Sequence, residues 1–193
     1  MSQHRIAIFA SGNGTNAEEI IRYFSKHPSI EVSLLLSNNP NSFALERAKK
    51  FGVPTRVFTR EDFDSGRVIP AWLQEHDITH IVLAGFLWLI PSYLLAGFRD
   101  RIINIHPALL PAFGGKGMFG MKVHQAVKES GRTETGVTIH LVNDHYDEGR
   151  IIFQGRCRID ENCSVEEIAK RVHALEYEHY PRVIEEWILE NAT

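Results

Sequence analysis

The sequence predicts an α/β protein built on one doubly wound, mostly parallel sheet, with an antiparallel strand region and a long helix in its C-terminal part. Three features predict this fold. Short apolar runs alternate with helical stretches in the first half, which is typical of βαβ units and a buried parallel sheet. Two further apolar runs follow in the second half, with only a polar loop between them. After Ser164, apolar residues keep the spacing of a helix.

The first half contains five predicted strands, each a short run rich in apolar and β-branched residues. Predicted helices separate them at 16–26, at 42–51 with an end at Gly52, and within 61–75. We expect the fifth strand to be central, with its carboxyl end facing the crevice in which such sheets bind ligands. The five strands are predicted at 6–10, 31–37, 55–58, 80–84 and 101–105.

The second half predicts an antiparallel hairpin followed by a helix. Its strands are expected at 135–142 and 151–159, joined by the polar loop NDHYDEGR. Ser164, with Glu167 three residues later, forms a capping box that starts the helix. Pro181 interrupts the helical pattern and predicts a kink or a break, because proline lacks the N–H that a helix needs.

Length and composition predict a single domain, 1–193. Apolar residues make up 44% and charged residues 23%, and the formal charge of −3 leaves no basic surface for nucleic acid. The apolar run at 6–10 is too short for a signal peptide or a membrane span. Cys157 and Cys163 fit neither a zinc pattern nor a disulfide scaffold. We therefore expect a cytoplasmic protein without a nucleic-acid or membrane partner.

The segment SGNGTN, 11–16, lies between the first predicted strand and the first helix. Gly12 and Gly14 allow backbone N–H groups to converge, and Thr15 and Asn16 add side-chain donors to a helix N-terminus that favours an anion. The segment is neither a dinucleotide fingerprint nor a P-loop. Two interpretations stay open from the motif alone, a phosphate site and an ordinary tight turn with a helix cap.

Asn104 and His106 lie two residues apart where the fifth strand ends, so their side chains leave the same face. An amide beside an imidazole can donate two hydrogen bonds to a developing oxyanion. The alternative for His106 alone is a buried core histidine. No serine or cysteine nearby suggests a covalent nucleophile.

The polar loop of the hairpin carries three acids, Asp144, Asp147 and Glu148. They can form a solvated acidic turn, or one carboxylate can reach His106, set its tautomer and raise its pKa. The residues alone do not choose among the three. No metal is expected, because pairs such as His173 and His179 have the wrong spacing for helical metal ligands.

The apolar segment AGFLWLIP, 84–91, follows the fourth strand. It is either core or, from its position at the same end of the sheet, a wall for a flat hydrophobic ring.

Together these motifs resemble the folate-dependent phosphoribosylglycinamide (glycinamide ribonucleotide) formyltransferases. The matching segments cover the chain in order, and NIHPxLLP with a downstream DxxDxG is specific to folate-dependent formyl carriers. The segments are SGNGTN at 11–16, LAGFLWLIP at 83–91, NIHPALLP at 104–111, HLVNDHYDEGRII at 140–152 and HALEYEHYPRVI at 173–184.

The resemblance implies a formyltransferase-like fold with a Rossmann-like phosphate-binding half, 1–100, and a catalytic and folate-binding half, 101–193. The implied reaction belongs to de novo purine biosynthesis: the formyl group of 10-formyltetrahydrofolate passes to the amine of glycinamide ribonucleotide. These two small molecules would be the partners, the folate would be a co-substrate, and the protein would be a monomer or weak homodimer.

The resemblance also assigns residues. The catalytic set would be Asn104, His106 and Asp147, with Asp147 keeping His106 charged. The substrate would be held through its phosphate by Gly14, Thr15 and Asn16 and at its amine end by Glu176. The folate site would comprise Leu87, Trp88, Leu89, Ile90, Asn104, Asn143, Asp144, His145 and Tyr146.

The sequence departs from the family pattern at three places. The segment AFGGKGMFGMKV, 112–123, is longer than usual, lacks a common histidine pair and contains four glycines, which suggests a mobile or rebuilt loop. Gly66 replaces an arginine that often reaches the folate tail, and Arg67 is a candidate substitute. Trp88 lies where a basic or aliphatic residue is common.

Other functions remain as alternatives. The sequence shows neither the RNA-binding domain and basic surface of a methionyl-tRNA formyltransferase nor the usual regulatory domain of a formyltetrahydrofolate hydrolase. A nucleotide-sugar formyltransferase is a weaker alternative. A non-enzymatic nucleotide-binding module or an oxidoreductase fits less well, because the turn lacks a third glycine and no acid follows Ser37 to bind a ribose.

Overall fold

The computed structural model describes residues 4–190, and its strands form one seven-stranded sheet in the order β3-β2-β1-β4-β5-β6-β7. The first five strands are parallel, and the last two continue the sheet antiparallel to β5. The strands are β1 His4–Phe9, β2 Ile30–Ser37, β3 Thr55–Val57, β4 His80–Leu83, β5 Ile102–His106, β6 Glu134–Leu141 and β7 Ile151–Arg158.

Helices cover both faces of the sheet, which confirms the predicted doubly wound α/β architecture. One core packs beneath α1, α2, α6 and α7, and a second packs beneath α3, α4 and α5. The strands carry apolar side chains towards both cores, as a sheet buried on two sides requires. The helices are α1 Thr15–Phe24, α2 Phe43–Lys50, α3 Arg60–Ser65, α4 Val68–Glu75, α5 Ser92–Gly97, α6 Met121–Glu129 and α7 Val165–Glu190.

The strand order reverses at β1: β2 and β3 lie on one side of it, and β4 and the later strands lie on the other. Ligands of doubly wound sheets bind at the carboxyl ends of the strands beside such a switch point. The strand β5, expected to be central, lies inside the sheet but beside the middle strand β4. Its carboxyl end is still adjacent to the switch point, because β4 alone separates it from β1.

Three helix predictions needed correction. The helix within 61–75 is two helices, because Gly66 takes a left-handed φ of 65° and ends α3. The helix α6 begins at Met121, inside the segment expected to be a loop. The break expected at Pro181 is wrong, since α7 continues through it. The missing N–H of Pro181 is offset by the burial of the apolar residues around it.

The predicted antiparallel hairpin and capping box are confirmed. The N–H of Ser164 donates to Oε2 of Glu167 at 2.8 Å, and the N–H of Glu167 donates to Oγ of Ser164 at 3.1 Å. Within residues 4–190, no helix is long and apolar enough to span a membrane.

The loop of the β6–β7 hairpin folds back tightly against β6. A Cβ atom at Gly149 would lie 1.6 Å from the carbonyl oxygen of Leu141, a distance that no side chain can tolerate. Gly149 thus permits the close approach of this loop, which also carries Asp147, to β6.

We predict that Gly149→Ala lowers the free energy of unfolding by about 1–3 kcal/mol or more, because the backbone must move to admit a methyl group. The measurement is urea denaturation. The matched control is Gly97→Ala, where a Cβ meets nothing within 4 Å, and which should leave stability almost unchanged. Equal stability of the two variants would contradict the tight packing of this loop.

Candidate active site

A cavity of about 580 Å³ opens at the carboxyl ends of the parallel strands. Five segments line it: the turn 11–16 after β1, the segment 84–87 after β4, the end of β5 with Pro107, the glycine-rich loop 115–120, and residues 146–147. Side chains of α6 and α7, among them His124, His173 and Glu176, complete the wall. The cavity therefore lies where a doubly wound sheet positions its ligand.

The turn 11–16 presents the N-terminus of α1 to the cavity. Gly14 is its N-cap with a φ of 73°, and a Cβ there would lie 2.4 Å from Cα of Ala44, so only glycine fits. Ser42 donates to the carbonyl of Gly12 at 2.7 Å, and Nε of Arg47 donates to the carbonyl of Asn13 at 2.8 Å. These bonds hold the turn from outside, while the first N–H groups of α1 remain available to an anion.

Asn104 is oriented by a histidine that the sequence analysis did not assign to the site. Asn104 and His140 are direct partners across β5 and β6, and Nδ2 of Asn104 lies 3.1 Å from Nε2 of His140. Nδ1 of His140 lies 2.8 Å from the carbonyl oxygen of Leu141. That carbonyl only accepts, so it places the proton on Nδ1 and leaves Nε2 to accept from the amide. The antiparallel register was the signal that could have identified His140.

His106 lies between two acceptors. Its Nε2 is 2.8 Å from the carbonyl oxygen of Phe113, and its Nδ1 is 3.4 Å from Oδ2 of Asp147. Burial lowers the pKa of His106 below its usual value, although Asp147 and the Phe113 carbonyl both act to raise it. Asp147 therefore acts on the pKa of His106 in the expected direction, but burial has the larger effect.

Asp147 is the acid of the hairpin loop that reaches the interior, while Asp144 and Glu148 are exposed. It takes a left-handed φ of 58°, which is uncommon for a residue with a side chain. Its Oδ2 accepts from the N–H of Gly115 at 2.9 Å, and its Oδ1 lies 3.6 Å from Nε2 of His140. Burial raises the pKa of Asp147, but His140, His106 and Gly115 outweigh it and hold that pKa below its usual value.

Glu176 projects from α7 into the same cavity and is 6% exposed. Its Oε2 accepts from Nδ2 of Asn16 at 3.0 Å. Burial raises the pKa of Glu176 to about 7, despite that hydrogen bond. One helical turn later, the hydroxyl of Tyr180 donates to the carbonyl of Leu83 at 2.8 Å and anchors α7 on the sheet.

The predicted folate residues divide into two groups. Leu87, Asn104 and Tyr146 line the cavity, and the N–H of Leu87 donates to Oγ of Ser11 at 3.2 Å. Those that do not line it are Trp88, Leu89, Ile90, Asn143, Asp144 and His145.

The position of Trp88 is explained by the second core. Its ring packs against Phe58 and Phe63, and the guanidinium of Arg60 lies 4.9 Å from the ring centre. Arg67, the candidate substitute for a missing arginine, is exposed at the start of α4 and does not line the cavity.

The residues that line the cavity include both hydrogen-bond donors and acids. Within residues 4–190, no group of three or more His, Cys, Asp and Glu side chains is arranged to hold a metal ion. Asn104, His106 and Glu176 all line the cavity. Two amide or imidazole donors and two carboxylates of unequal pKa are suited to proton transfer and oxyanion stabilisation.

Comparison with known proteins agrees with this geometry. Residues 4–184 match the family model described as formyl transferase. Phosphoribosylglycinamide formyltransferase of Bacillus subtilis (strain 168) is 36% identical over 94% of this chain and 93% of its own length. The crystal structure of the Bacillus halodurans phosphoribosylglycinamide formyltransferase superposes with a TM-score of 0.86 at 35% identity, covering 98% of this chain and 97% of that one.

A chloroplastic phosphoribosylglycinamide formyltransferase of Arabidopsis thaliana is 43% identical over 93% of this chain. The chain spans 64% of that relative and 60% of a similar one from Vigna unguiculata. The match to the family model covers nearly all of the described fold, from β1 into α7. On this match the chain belongs to the formyl transferase family.

Proposed function

We propose that the protein transfers the formyl group of 10-formyltetrahydrofolate to the amine of glycinamide ribonucleotide, in de novo purine biosynthesis. The observation that carries this proposal is that Asn104, His106, Asp147 and Glu176 meet an anion-binding turn around one cavity. The names of the relatives, all phosphoribosylglycinamide formyltransferases in the comparisons given above, support the same reaction.

We propose that the phosphate of the substrate binds at Gly14, Thr15 and Asn16, with its amine end at Glu176. The buried Oδ1 of Asn16 has no hydrogen-bond partner among residues 4–190, so a donor on the substrate would satisfy it. The folate would lie against Leu87 and Tyr146, at the outer part of the cavity. The chain would then act as one domain, with 1–100 supplying the phosphate site and 101–193 the catalytic and folate sites.

Glu176 would prepare the amine. An ammonium group has no lone pair and must lose a proton before it attacks. A buried carboxylate whose pKa is about 7 accepts that proton more readily than an ordinary glutamate. Glu176 would therefore serve as the base for the incoming amine.

Attack of the neutral amine on the formyl carbon makes a tetrahedral oxyanion, and no covalent enzyme intermediate is needed. Asn104 would donate its second amide hydrogen to the oxyanion. His106 would donate from Nε2 once the carbonyl of Phe113 moves aside. As negative charge develops on the oxygen, this hydrogen bond from His106 strengthens, and Asp147 beside Nδ1 holds the ring in position.

The reaction then ends with a proton transfer. The new C–N bond to the substrate amine replaces the C–N bond to the folate nitrogen. The proton lost by the amine is transferred to that nitrogen, directly or through water, so that no oxidant or reductant is required. Holding both substrates in one cavity supplies much of the remaining acceleration.

We further propose a cytoplasmic enzyme that works as a monomer or weak homodimer and binds no nucleic acid. The formal charge of −3 and the free thiols of Cys157 and Cys163 support this. Cell fractionation and sedimentation with and without RNA test it directly.

The test of the overall reaction is a spectroscopic assay of folate deformylation, with and without glycinamide ribonucleotide. We expect deformylation that depends on the ribonucleotide. Deformylation without it would indicate a formyltetrahydrofolate hydrolase, and no deformylation in either case would reject both activities.

We predict that Asp147→Ala or His106→Ala lowers kcat by at least about 100-fold, because each removes an oxyanion or proton-transfer partner. Equilibrium binding of the ribonucleotide should change much less than kcat, since neither residue belongs to the phosphate turn 11–16. The matched control is Glu148→Ala, an exposed acid in the same loop. Near-normal turnover in Asp147→Ala would remove this mechanism.

The buried Glu176 makes stability depend on pH. The unfolded chain releases the Glu176 proton near its usual pKa of 4.5, but the folded chain keeps it to about pH 7. Between those values the folded state binds more protons, so its contribution to stability falls as pH rises. At about 1.4 kcal/mol for each pH unit, the full loss is on the order of 3 kcal/mol.

We therefore predict that Glu176→Gln is no more stable than wild type at pH 4.5 but more stable at pH 8, by up to about 3 kcal/mol. Urea denaturation across that range measures the difference. The control is Glu178→Gln, an exposed residue of the same helix, whose difference from wild type should not vary with pH. A difference for Glu176→Gln that is equally flat would contradict the raised pKa.

A further inference from the structure

We propose that Lys116, on the glycine-rich loop, is the cation that binds the substrate's phosphate opposite the turn 11–16, and that it thereby couples phosphate binding to the placement of the catalytic residues. The inference rests on the proposed function for the presence of a phosphate ester on the substrate.

The first observation is the charge balance of the cavity. A phosphate monoester carries −1.5 to −2 charges at neutral pH, and the cavity wall already contains the carboxylates of Asp147 and Glu176. The turn itself offers only uncharged donors, N–H groups and the side chains of Thr15 and Asn16. A dianion taken from water into such a wall needs a cation.

Lys116 is the one lysine or arginine among the described residues that line the cavity. It is exposed, and it forms no hydrogen bond or ion pair with the other residues of the range 4–190. Its ammonium group is thus available to a ligand, and its flexible four-carbon stem suits a phosphate that arrives from solvent.

The other cationic candidates are engaged or uncharged. Arg47 approaches the turn from outside the cavity, but its guanidinium already pairs with Glu18 and bonds Oδ1 of Asn13 at 3.2 Å. Burial lowers the pKa of His124 to about 4, and partial burial at the cavity wall lowers that of His173 as well. A positive charge is thereby disfavoured on both histidines.

The second observation links Lys116 to catalysis. The residue before it, Gly115, donates its N–H to Asp147 at 2.9 Å. Two residues before Gly115, the carbonyl oxygen of Phe113 accepts from His106 at 2.8 Å. A phosphate held by Lys116 therefore fixes the segment that positions both catalytic side chains. Binding energy from the non-reacting phosphate would then be used to arrange the reacting groups.

The experiment compares Lys116→Gln, Lys116→Arg and Lys122→Gln, which removes the same charge six residues along the chain, outside the cavity lining. With glycinamide ribonucleotide, we expect Lys116→Gln to raise KM at least about tenfold and to lower kcat, the scale of a lost charge-assisted hydrogen bond. We expect Lys116→Arg to restore most of both parameters, and Lys122→Gln to resemble wild type.

A substrate without the phosphate, glycinamide ribonucleoside, separates the two roles of the loop. The wild type and Lys116→Gln should use it equally poorly. If Lys116→Gln loses the same factor on both substrates, Lys116 merely shapes the loop and the proposal is overturned. Unchanged kinetics on the ribonucleotide would overturn it as well.

Calorimetric binding of ribose 5-phosphate provides a readout that does not depend on the reaction. We expect at least about tenfold weaker binding to Lys116→Gln than to the wild type and to Lys122→Gln. If the wild type transfers no formyl group but this difference appears, the proposed function fails while Lys116 remains the phosphate ligand. Equal binding to all three proteins would exclude that role for Lys116.

Discussion

The active site depends on the way a buried carboxylate, that of Asp147, is kept charged. Removing an unpaired carboxylate from water is costly, so the fold must supply partners. It does so from three directions: His106 at the end of β5, His140 on β6 and the N–H of Gly115 in the glycine-rich loop. The left-handed backbone of Asp147 brings its side chain to this meeting point. The same carboxylate also helps to hold these three neighbours in place. The left-handed backbone of Asp147 persists because several contacts together fix its position.

The two buried acids of the cavity have opposite properties, and their surroundings explain why. Asp147 accepts the N–H of Gly115 and lies beside the imidazoles of His106 and His140, and its pKa is held low, whereas Glu176 has a single amide donor and is otherwise surrounded by the core beneath α7. Acids whose environments separate their pKa values in this way can hold different roles at one pH. In the proposed reaction, Asp147 stays ionised beside the imidazole, while Glu176 exchanges a proton with the amine. The same low polarity that raises the pKa of Glu176 reduces stability at high pH, so this function has a thermodynamic cost.

The glycine-rich loop connects substrate recognition with the catalytic residues. The N–H of Gly115 donates to Asp147, and the carbonyl of Phe113, just before the loop, accepts from His106. Both side chains are therefore hydrogen-bonded to one short backbone segment, 113–115. The Phe113 carbonyl accepts the hydrogen bond from Nε2 of His106 that the proposed oxyanion would need, so this carbonyl and the reacting oxygen would compete for one donor. A Cβ at Gly114 would lie 2.5 Å from Cδ2 of Leu110 and 3.2 Å from Cβ of Asp147, so a larger residue here would require the Leu110 side chain to shift. In the proposed reaction, the positive charge of Lys116 would let this loop bind the phosphate of the substrate.

The sequence by itself determined the order and type of most elements, the switch to an antiparallel hairpin and the side-by-side placement of Asn104 and His106. Those features follow from local patterns, since strand alternation and helical spacing are properties of neighbouring residues. Only the tertiary structure decided which acid enters the site, that His140 orients Asn104, and that burial outweighs Asp147 at His106. The local pattern also predicted a kink or a break at Pro181. The helix does not break there, because the residues around this proline pack into the core. The decisive contacts join residues 32, 36 and 160 positions apart in the chain. Distances of that kind, and the dielectric surroundings that shift a pKa, exist only once the chain has folded.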